Sequence, residues 1–116
     1  MDVLQRIEKP WGYELWWAVT DRYVGKLIHV NQGHSLSLQY HVQKHESMFL
    51  LQGEAELLLN GDVRAFHTGE AVVIPPPTQH RLTALTDIDV IEVSTPELDD
   101  VVRLEDRYGR AGTSTP

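Results

Sequence analysis

The sequence predicts an all-β protein that folds as a sandwich or barrel of antiparallel strands. Short runs in which apolar and polar residues alternate, the pattern of half-buried strands, recur along most of the chain. Turn-forming Gly, Pro, Asn and Asp residues separate these runs at regular intervals. Almost no segment has the period of an amphipathic helix, so the crossover helices that a parallel sheet needs are missing.

Each predicted strand is bounded by residues that break regular structure. In order, the strands span residues 11–19, 23–30, 35–41, 46–51, 54–59, 62–67, 71–74, 80–85 and 88–94. The first is aromatic and β-prone, and Thr20-Asp21-Arg22 predicts a turn into the second, which ends at Asn31-Gln32-Gly33. The third alternates apolar and polar residues, and polar residues 42–45 predict a hairpin into the fourth.

Turn signals also separate the later strands. Gln52-Gly53 leads into the fifth strand, and Asn60-Gly61, a strong two-residue hairpin signal, joins the fifth to the sixth. Thr68-Gly69-Glu70 precedes the seventh, which ends at Pro75-Pro76-Pro77 because proline has no N–H to give to a sheet. Polar residues 86–87 separate the last two strands.

The C-terminal residues are the one region predicted to be helical. Residues 96–108 are predicted to form a short helix, with Thr95 as its cap and apolar residues such as Leu104 docked on the barrel. Residues 111–116 are small or polar and are predicted to form a flexible tail. We therefore expect one domain over residues 1–116, with its folded core at about 9–110.

Composition excludes several classes of function. The net charge of −7 argues against nucleic-acid binding, which needs clustered Lys and Arg, but it allows a basic partner or a small anion held by a few local cations. The chain has no cysteine, which excludes a disulfide scaffold, a zinc ribbon and thiol catalysis. It also lacks the apolar run of a signal peptide or a membrane span, so we expect a soluble cytoplasmic protein with no membrane partner.

Four side chains of metal-ligand type are spaced as one site would require. Gln39 and His41 are two residues apart, and as part of a strand they lie on the same face. Glu46 opens the returning strand, which brings its carboxylate level with His41, and a distant strand supplies His80. Two imidazoles, a carboxylate and an amide oxygen suit one divalent ion, Zn, Mn, Fe, Co or Ni, with open positions for water or substrate.

Glycines and prolines stand at fixed places around these candidate ligands. The set is Gly33, His41, Glu46 and Gly53, followed by Gly69, Pro75, Pro77 and His80. This arrangement resembles the two signature motifs of the cupin superfamily, with Gln39 where many members have histidine. The segments Lys9-Pro10-Trp11-Gly12 and Leu36-Ser37-Leu38-Gln39, with Tyr108-Gly109-Arg110, narrow the resemblance to the cupin domain of type II mannose-6-phosphate isomerases. The resemblance spans residues 9–110.

The resemblance implies a double-stranded β-helix, or jelly-roll barrel, and the interconversion of mannose 6-phosphate and fructose 6-phosphate. A metal cation stabilises the enediolate in such a reaction, and a base moves the proton. Glu92 is the candidate base, because a carboxylate in an apolar strand has its pKa raised. Arg81 and Lys26 are the other predicted catalytic groups, and both bind the substrate phosphate together with Arg103.

Plainer roles remain open for several of these residues. Gln39 suits a metal ligand or a hydrogen-bond donor behind the ligands, and Glu92 suits a structural ion pair with a lysine or arginine. Lys26 and Arg103 also suit structural ion pairs. The remaining histidines, His29, His34, His45 and His67, lie outside the pattern and are predicted to face solvent or to be structural.

The sequence also departs from the family pattern and leaves other functions open. Ser47-Met48 stand where members commonly have His-Trp, and segment 94–100 is shorter than usual. In many members this domain follows a nucleotidyltransferase domain, which this sequence lacks. The alternatives are a non-catalytic metal-binding module for a sugar phosphate or sugar nucleotide, and a metal-dependent dioxygenase. We expect a homodimer, because an unpaired edge strand invites pairing.

Overall fold

Eleven strands form two antiparallel sheets in the computed structural model, which describes residues 4–113. The strands are β1 (Gln5–Lys9), β2 (Gly12–Val19), β3 (Val24–Val30), β4 (Leu38–Tyr40), β5 (Glu46–Gln52), β6 (Glu54–Leu59), β7 (Asp62–His67), β8 (Ala71–Ile74), β9 (His80–Ala84), β10 (Ile88–Ser94) and β11 (Val102–Glu105). The predicted all-β class is confirmed. In the described part of the chain, no helix is long and apolar enough to cross a membrane.

The chain moves between the two sheets as it does in a jelly roll. The six-stranded sheet has the order β1-β2-β3-β10-β5-β8, and the five-stranded sheet has the order β11-β4-β9-β6-β7. After β3 the chain changes sheet at every connection except the β6–β7 hairpin, which turns at Asn60-Gly61 as the sequence predicts. Both turn residues have positive φ, 47° for Asn60 and 88° for Gly61, as a tight hairpin turn requires.

The inner faces of the two sheets divide into an apolar half and a polar half. Alternate residues of β3, β5 and β10 point inward. At one end of the barrel they are apolar and join one core, whose largest members are Trp11, Phe66, Ile28, Leu50, Leu57, Ile74, Leu82 and Ile88. At the other end the same strands bury Lys26, Glu46 and Glu92. Because burying charge is costly unless it is paired, this end is where a site is expected.

The predicted C-terminal helix is wrong. Residues 102–105 form β11, which pairs with β4 and places Arg103 opposite Gln39. Burial follows a period of two here, because Val101 and Arg103 are buried whereas Leu104 is exposed. Two adjacent β-branched valines disfavour a helix, and the open edge of β4 offers hydrogen bonds that outweigh the weak helical pattern.

The predicted hairpin across residues 42–45 is also wrong. Its two strands lie in different sheets, since β4 pairs with β9 and β11 whereas β5 pairs with β8 and β10. The carboxylate of Asp100 holds this crossing, because it accepts hydrogen bonds from the backbone N–H groups of residues 42, 43 and 44 at 3.0, 2.6 and 2.8 Å. The Asp100 carboxylate thus accepts the hydrogen bonds that backbone carbonyls would have accepted from these N–H groups in a hairpin.

The described part of the predicted tail, residues 111–113, makes hydrogen bonds with β11. The N–H of Gly112 donates to the carbonyl of Arg103 at 2.9 Å, and the Arg103 guanidinium donates to the Thr113 hydroxyl at 3.0 Å. Residues 114–116 of the predicted tail lie outside the described residues. The segment after β11 therefore folds back against a buried arginine of the polar end.

Candidate metal centre and cationic cleft

Two histidines and one glutamate of the predicted metal set meet at the polar end of the barrel. His41 directly follows β4, Glu46 opens β5 and His80 opens β9, and all three side chains are buried. The Nε2 atoms of His41 and His80 each lie 3.0 Å from Oε1 of Glu46. One ligand atom from each residue lies within 4.8 Å of the others, which is compact enough for all three to hold one ion.

The hydrogen bonds behind the histidines show that the group fits a cation. Nδ1 of His41 donates to the carbonyl of Asp100, and Nδ1 of His80 donates to the carbonyl of Thr78 at 2.9 Å. A neutral imidazole then has its lone pair on Nε2, so two lone pairs point at the Glu46 carboxylate, itself an acceptor. Converging acceptors without a donor are unfavourable, and a metal ion resolves the conflict.

Gln39 lies beside this group and has room for either predicted role. Its Cα partners across the five-stranded sheet are His80 on one side and Arg103 on the other. The amide Nε2 lies 3.5 Å from Nε2 of His80, and Oε1 accepts a hydrogen bond from the Ser37 hydroxyl at 2.7 Å. Rotating the amide by half a turn would present Oε1 to the ion and Nε2 to the Ser37 oxygen, so ligand and supporting donor are both sterically available.

Lys44 is a member of the site that the sequence patterns did not predict. Its Nζ lies 3.6 Å from Oε2 of Glu46 and 3.6 Å from Oε2 of Glu92, and the side chain is buried. Burial lowers the pKa of Lys44, but the negative charges of Glu92 and Glu46 outweigh it, so the pKa is raised and the ammonium stays charged. The inward period of β5 (Glu46, Met48, Leu50) extends back to Lys44, which was the available signal.

Two neighbouring carboxylates at this end have pKa values that move in opposite directions. Burial and the charge of Glu46 raise the pKa of Glu92 to about 8. Burial alone would raise the pKa of Glu46 as well, but the Nε2 atoms of His41 and His80, which donate hydrogen bonds to it when the rings are protonated, hold it well below its ordinary value. One group is therefore an anion suited to a metal, and the other is a group that holds or releases a proton near neutral pH.

A cleft of about 480 Å³, a volume that includes space open to solvent, adjoins the candidate metal centre and is rich in cations. Five basic side chains line it, whereas Glu14 and Glu92 are its acidic ones; the basic residues are Lys9, Lys26, Lys44, Arg103 and Arg110. The chain as a whole has a net charge of −7, whereas the side chains that line this cleft are mostly basic. Such a cleft attracts a small anion.

The two predicted phosphate cations that reach the cleft differ in how they are partnered. The Nζ of Lys26 lies 3.4 Å from Oε1 of Glu14 and 4.8 Å from the centre of the Trp16 ring. Arg103 is bonded to Thr113, but its buried Nε has no hydrogen-bond partner. Trp11, at the floor of the cleft, likewise has an unpartnered buried Nε1–H. These two donors can be satisfied by an acceptor that enters the cleft.

The structure does not bring Arg81 into this cleft. His80 and Leu82 point inward from β9, so Arg81 between them points outward, where its guanidinium donates to the carbonyl of Glu105 at 3.4 Å. Its predicted phosphate contact has no geometric support. The cations that sequence reasoning missed, Lys9 and Arg110, do line the cleft.

The histidines outside the predicted pattern stay outside the metal group. Nδ1 of His29 lies 2.7 Å from Asp89, and Nδ1 of His34 lies 2.7 Å from the Tyr108 hydroxyl. His67 pairs with Glu54 on the surface, and His45 is exposed. The group formed by His41, Glu46 and His80 is thus distinguished by its convergence and burial.

The chain is similar in sequence to one region of larger proteins. The profile of the family described as "Mannose-6-phosphate isomerase C-terminal" matches residues 1–106. Mannose-1-phosphate guanylyltransferase ManC of Salmonella typhimurium is 37% identical over 111 residues, which are 91% of this chain and 23% of that protein. Alginate biosynthesis protein AlgA of Pseudomonas putida is 34% identical over 115 residues, 95% of this chain and 23% of that protein. The chain spans about a quarter of the length of these curated relatives.

Solved structures place the fold among the cupins. KdgF from Halomonas sp. superposes with a TM-score of 0.75 at 27% identity, covering 85% of this chain and 90% of that one. An RmlC-like cupin from Shewanella frigidimarina superposes with a TM-score of 0.73 at 14% identity, covering 80% of this chain and 84% of that one. The predicted cupin barrel is therefore confirmed, whereas its chemistry has to be argued from the site.

Proposed function

The chain belongs to the family of mannose-6-phosphate isomerase C-terminal domains, and from that premise we propose that it is a metal-dependent sugar-phosphate isomerase. The proposed reaction interconverts mannose 6-phosphate and fructose 6-phosphate and supplies carbohydrate for polysaccharide biosynthesis. The observation that carries the proposal is the position of Glu92. This buried carboxyl group with a raised pKa lines both the cationic cleft and the smaller cavity of Glu46 and His80.

The metal centre is assigned to His41, Glu46 and His80, with the Gln39 amide oxygen as a fourth ligand. The donor set fits Zn, Mn, Fe, Co or Ni. A divalent ion held there supplies Lewis-acid stabilisation to a substrate oxygen that becomes negative. The backbone carbonyls of Thr78 and Asp100 keep the two imidazole rings oriented for it through their Nδ1–H groups.

Glu92 is the proposed proton-transfer group. Isomerisation of an aldose to a ketose moves a proton between adjacent carbons, so one group accepts the proton and then returns it. With a pKa of about 8, ionised Glu92 is more basic than an ordinary carboxylate, and its Oε2 has no hydrogen-bond partner. Lys44 at 3.6 Å balances the charge of Glu92 when the group is ionised.

The cations of the cleft are the proposed phosphate ligands. Lys26 and Arg103 keep this predicted role, and Lys9 and Arg110, which line the same cleft, join them. Arginine binds a phosphate through two parallel N–H groups, which matches the unpartnered Nε of Arg103. The metal centre and these cations flank Glu92, as a sugar phosphate with its carbonyl end at the metal would require.

A turnover assay with four variants tests this proposal. The metal-loaded chain is expected to convert mannose 6-phosphate to fructose 6-phosphate. Glu92→Gln should retain the metal and lower kcat by about a hundredfold or more, because general base catalysis contributes at least that much. His41→Ala should lose both metal and turnover, whereas His67→Ala, a change of an exposed histidine outside the site, should retain both. Full activity in His41→Ala and His80→Ala would exclude the mechanism.

A second candidate, a non-catalytic module that binds a sugar phosphate or sugar nucleotide, is favoured by one observation. Nζ of Lys44 lies 3.6 Å from both Glu92 and Glu46. The same geometry fits a structural ion pair in which Lys44 engages the carboxylate of Glu92, so that Glu92 does not act as a base. Thermal stabilisation by sugar phosphates without turnover would support the module. Oxygen consumption measured in the same samples tests the dioxygenase alternative.

A further inference from the structure

Residues 106–113 follow β11 and form a segment that we call the C-terminal strap. The N–H of Gly112 donates to the carbonyl of Arg103 at 2.9 Å, which returns the strap to the last strand. The guanidinium of Arg107 donates to the carbonyl of Gly33 at 2.7 Å, which attaches the strap to the loop after β3. The strap therefore links the last strand to a loop that lies about seventy residues earlier in the chain.

Tyr108 anchors the middle of the strap. Its side chain is partly buried against the apolar core, and its hydroxyl lies 2.7 Å from Nδ1 of His34. The two rings are stacked, with their centroids 5.9 Å apart. An aromatic side chain that combines apolar contact with a hydrogen bond at its polar end holds its backbone firmly. Arg110, two residues later, is therefore attached to a fixed backbone.

Asp106 fixes the orientation of the Arg110 side chain. The side chain of Asp106 is 0% exposed, and its Oδ2 accepts hydrogen bonds from the backbone N–H groups of Tyr108 and Arg110 at 3.3 and 2.8 Å. The Arg110 guanidinium donates from Nε to Oδ2 at 3.0 Å and from Nη2 to Oδ1 at 2.9 Å. Because this pair is bidentate, it sets the plane of the guanidinium as well as its position.

The edge of Arg110 that Asp106 does not use is available to a ligand. A guanidinium carries five N–H donors, and Asp106 engages one on Nε and one on Nη2. Two donors on Nη1 and one on Nη2 remain, and no residue in the described range 4–113 accepts a hydrogen bond from Nη1. Since Arg110 lines the cationic cleft, a fork of two nitrogen atoms remains there for an anion.

Arg103 lies near Arg110 in the same cleft. Burial, and then the charge of Arg110, lower the pKa of Arg103, so the two cations are close enough to repel each other. The Arg103 guanidinium donates to the Thr113 hydroxyl, and the N–H of Thr113 donates to the carbonyl of Arg110 at 2.9 Å, which keeps the two arginines together. Two like charges held together, one of them with a buried Nε that has no hydrogen-bond partner, favour an anion beside both.

We propose that Asp106 is a positioning residue, which orients Arg110 so that Arg110 and Arg103 form a two-arginine clamp for a phosphate monoester. The inference rests on the proposed function, in which both arginines bind the substrate phosphate, and it adds the group that sets their geometry. A phosphate dianion matches two guanidinium charges whereas a carboxylate matches one, so the clamp selects a phosphorylated sugar over a sugar acid. The opposite role, in which Asp106 neutralises Arg110 and weakens anion binding, predicts a change of opposite sign.

Calorimetric titration of the full chain with inorganic phosphate tests the clamp without turnover. Asp106→Asn keeps an oxygen for the backbone N–H groups of residues 108 and 110 but loses the charged pair with Arg110. It should weaken phosphate binding by about tenfold, roughly the worth of one charged hydrogen bond. Asp62→Asn removes the same charge at an exposed position outside the cleft and should leave the Kd unchanged. Equal or tighter binding by Asp106→Asn, or no binding of millimolar phosphate by the unmodified chain, would overturn the proposal.

Arg110→Lys shows whether Asp106 acts through Arg110, and it remains decisive if Asp106→Asn fails to fold. A lysine keeps the charge, but it lacks the planar fork that pairs with a carboxylate on one edge and a phosphate on the other. Arg110→Lys should therefore weaken phosphate binding about tenfold, and Asp106→Asn should add little in that background. Undiminished binding by Arg110→Lys, or losses that simply add, would contradict the clamp.

A second anion and a turnover assay complete the test. Acetate, a monocarboxylate, should bind the unmodified chain at least about tenfold more weakly than phosphate, and equal binding would contradict the selection for phosphate. In turnover of mannose 6-phosphate, Asp106→Asn should raise KM about tenfold with little change in kcat, because its effect is confined to phosphate binding. A chain that binds phosphate with the expected ratios but has no turnover would contradict the isomerase and support the clamp.

Discussion

At the residue scale, the polar end of the barrel is held together by charges that alternate in sign. Glu14 pairs with Lys26, and Lys44 lies between Glu92 and Glu46. Leaving any one of these groups unpaired in the interior would cost several kcal/mol, so each requires its neighbours. The arrangement leaves Glu92 as the carboxyl group whose pKa is raised, to about 8, while the pKa of Glu14 is lowered because Lys26 and Lys9 outweigh its burial.

Asp100 gives a prediction for stability against pH. Burial would raise its pKa, but hydrogen bonds from the backbone N–H groups of residues 42–44 outweigh that effect and lower it from the ordinary value of 3.8. A lowered folded-state pKa means that the contribution to stability is present above about pH 4 and is lost as pH falls through the folded pKa. Asp100→Asn should therefore lower the free energy of unfolding at pH 7 by about 1–2 kcal/mol, since the carboxylate is partly exposed.

Urea denaturation of Asp100→Asn at a series of pH values measures this effect. The gap from the unmodified chain should shrink as the pH falls below about 4, and it should close below the folded-state pKa, where Asp100 is protonated in the folded chain as well. Asp99→Asn, one residue away at an exposed position, removes the same charge without those backbone bonds and should change stability little. A gap that is independent of pH would show that the hydrogen bonds of Asp100 do not depend on its charge.

Residue patterns predicted the residues that converge in the candidate metal centre better than they predicted the residues of the surrounding cleft. His41, Glu46 and His80 were found because their spacing fits the signatures of the family and two of them open strands. Arg81 was assigned to the site because it follows His80, although adjacent residues in a strand point to opposite faces. Lys9 and Arg110 were missed because they come together only when the two ends of the chain meet, which no local pattern encodes.

At the element scale, strand boundaries were predicted where turn chemistry is local and were missed where pairing is distant. The strands β6, β7, β8 and β10 have the predicted bounds, because Asn60-Gly61 and similar signals fix them. The strand β11 was mistaken for a helix because its partner, β4, lies about sixty residues earlier in the chain. The edge strand β1 was not predicted, because its alternating charged residues carry little apolar signal.

The connection between β5 and β6 gives a second prediction, because one glycine joins the two sheets there. Gly53 has a φ of 99°, and a Cβ on it would lie 2.4 Å from the carbonyl oxygen of Asp87. Gly69 has a similar φ of 88°, but a Cβ on it would have no neighbouring atom within 4 Å. Gly69→Ala should cost about 1–2 kcal/mol for the left-handed backbone alone, and Gly53→Ala should cost about 1–3 kcal/mol more for the added clash.

Urea denaturation of the two glycine variants separates backbone conformation from close approach. The difference between their free energies of unfolding isolates the contact with Asp87, because both variants carry the same backbone penalty. Equal losses would show that the carbonyl of Asp87 moves away without cost, and that the sheets are less tightly joined at this point.

At the scale of the whole molecule, the candidate metal centre joins the two sheets. His80 belongs to the five-stranded sheet and His41 follows one of its strands, whereas Glu46 belongs to the six-stranded sheet. The apolar core holds the two sheets together at one end of the barrel. At the other end, the side chains of His41, Glu46 and His80 converge from both sheets. An ion bound here would replace a conflict between acceptors with bonds that connect both sheets, and folding would then be coupled to metal binding.

Metal removal should therefore destabilise the entire fold. At a free metal concentration about a thousandfold above Kd, binding adds about 4 kcal/mol to the free energy of unfolding, which raises Tm by roughly 15–20 °C for a domain of this size. Treating the metal-loaded chain with a chelator should reverse that rise, as measured by thermal denaturation.

His80→Ala should show no rise in Tm with any of the five candidate metals, since it removes one of the two imidazoles that converge on Glu46. His67→Ala should respond as the unmodified chain does, because His67 pairs with Glu54 on the surface. An undiminished rise in His80→Ala would mean that the ion binds elsewhere and that His41, Glu46 and His80 are held together by hydrogen bonds alone.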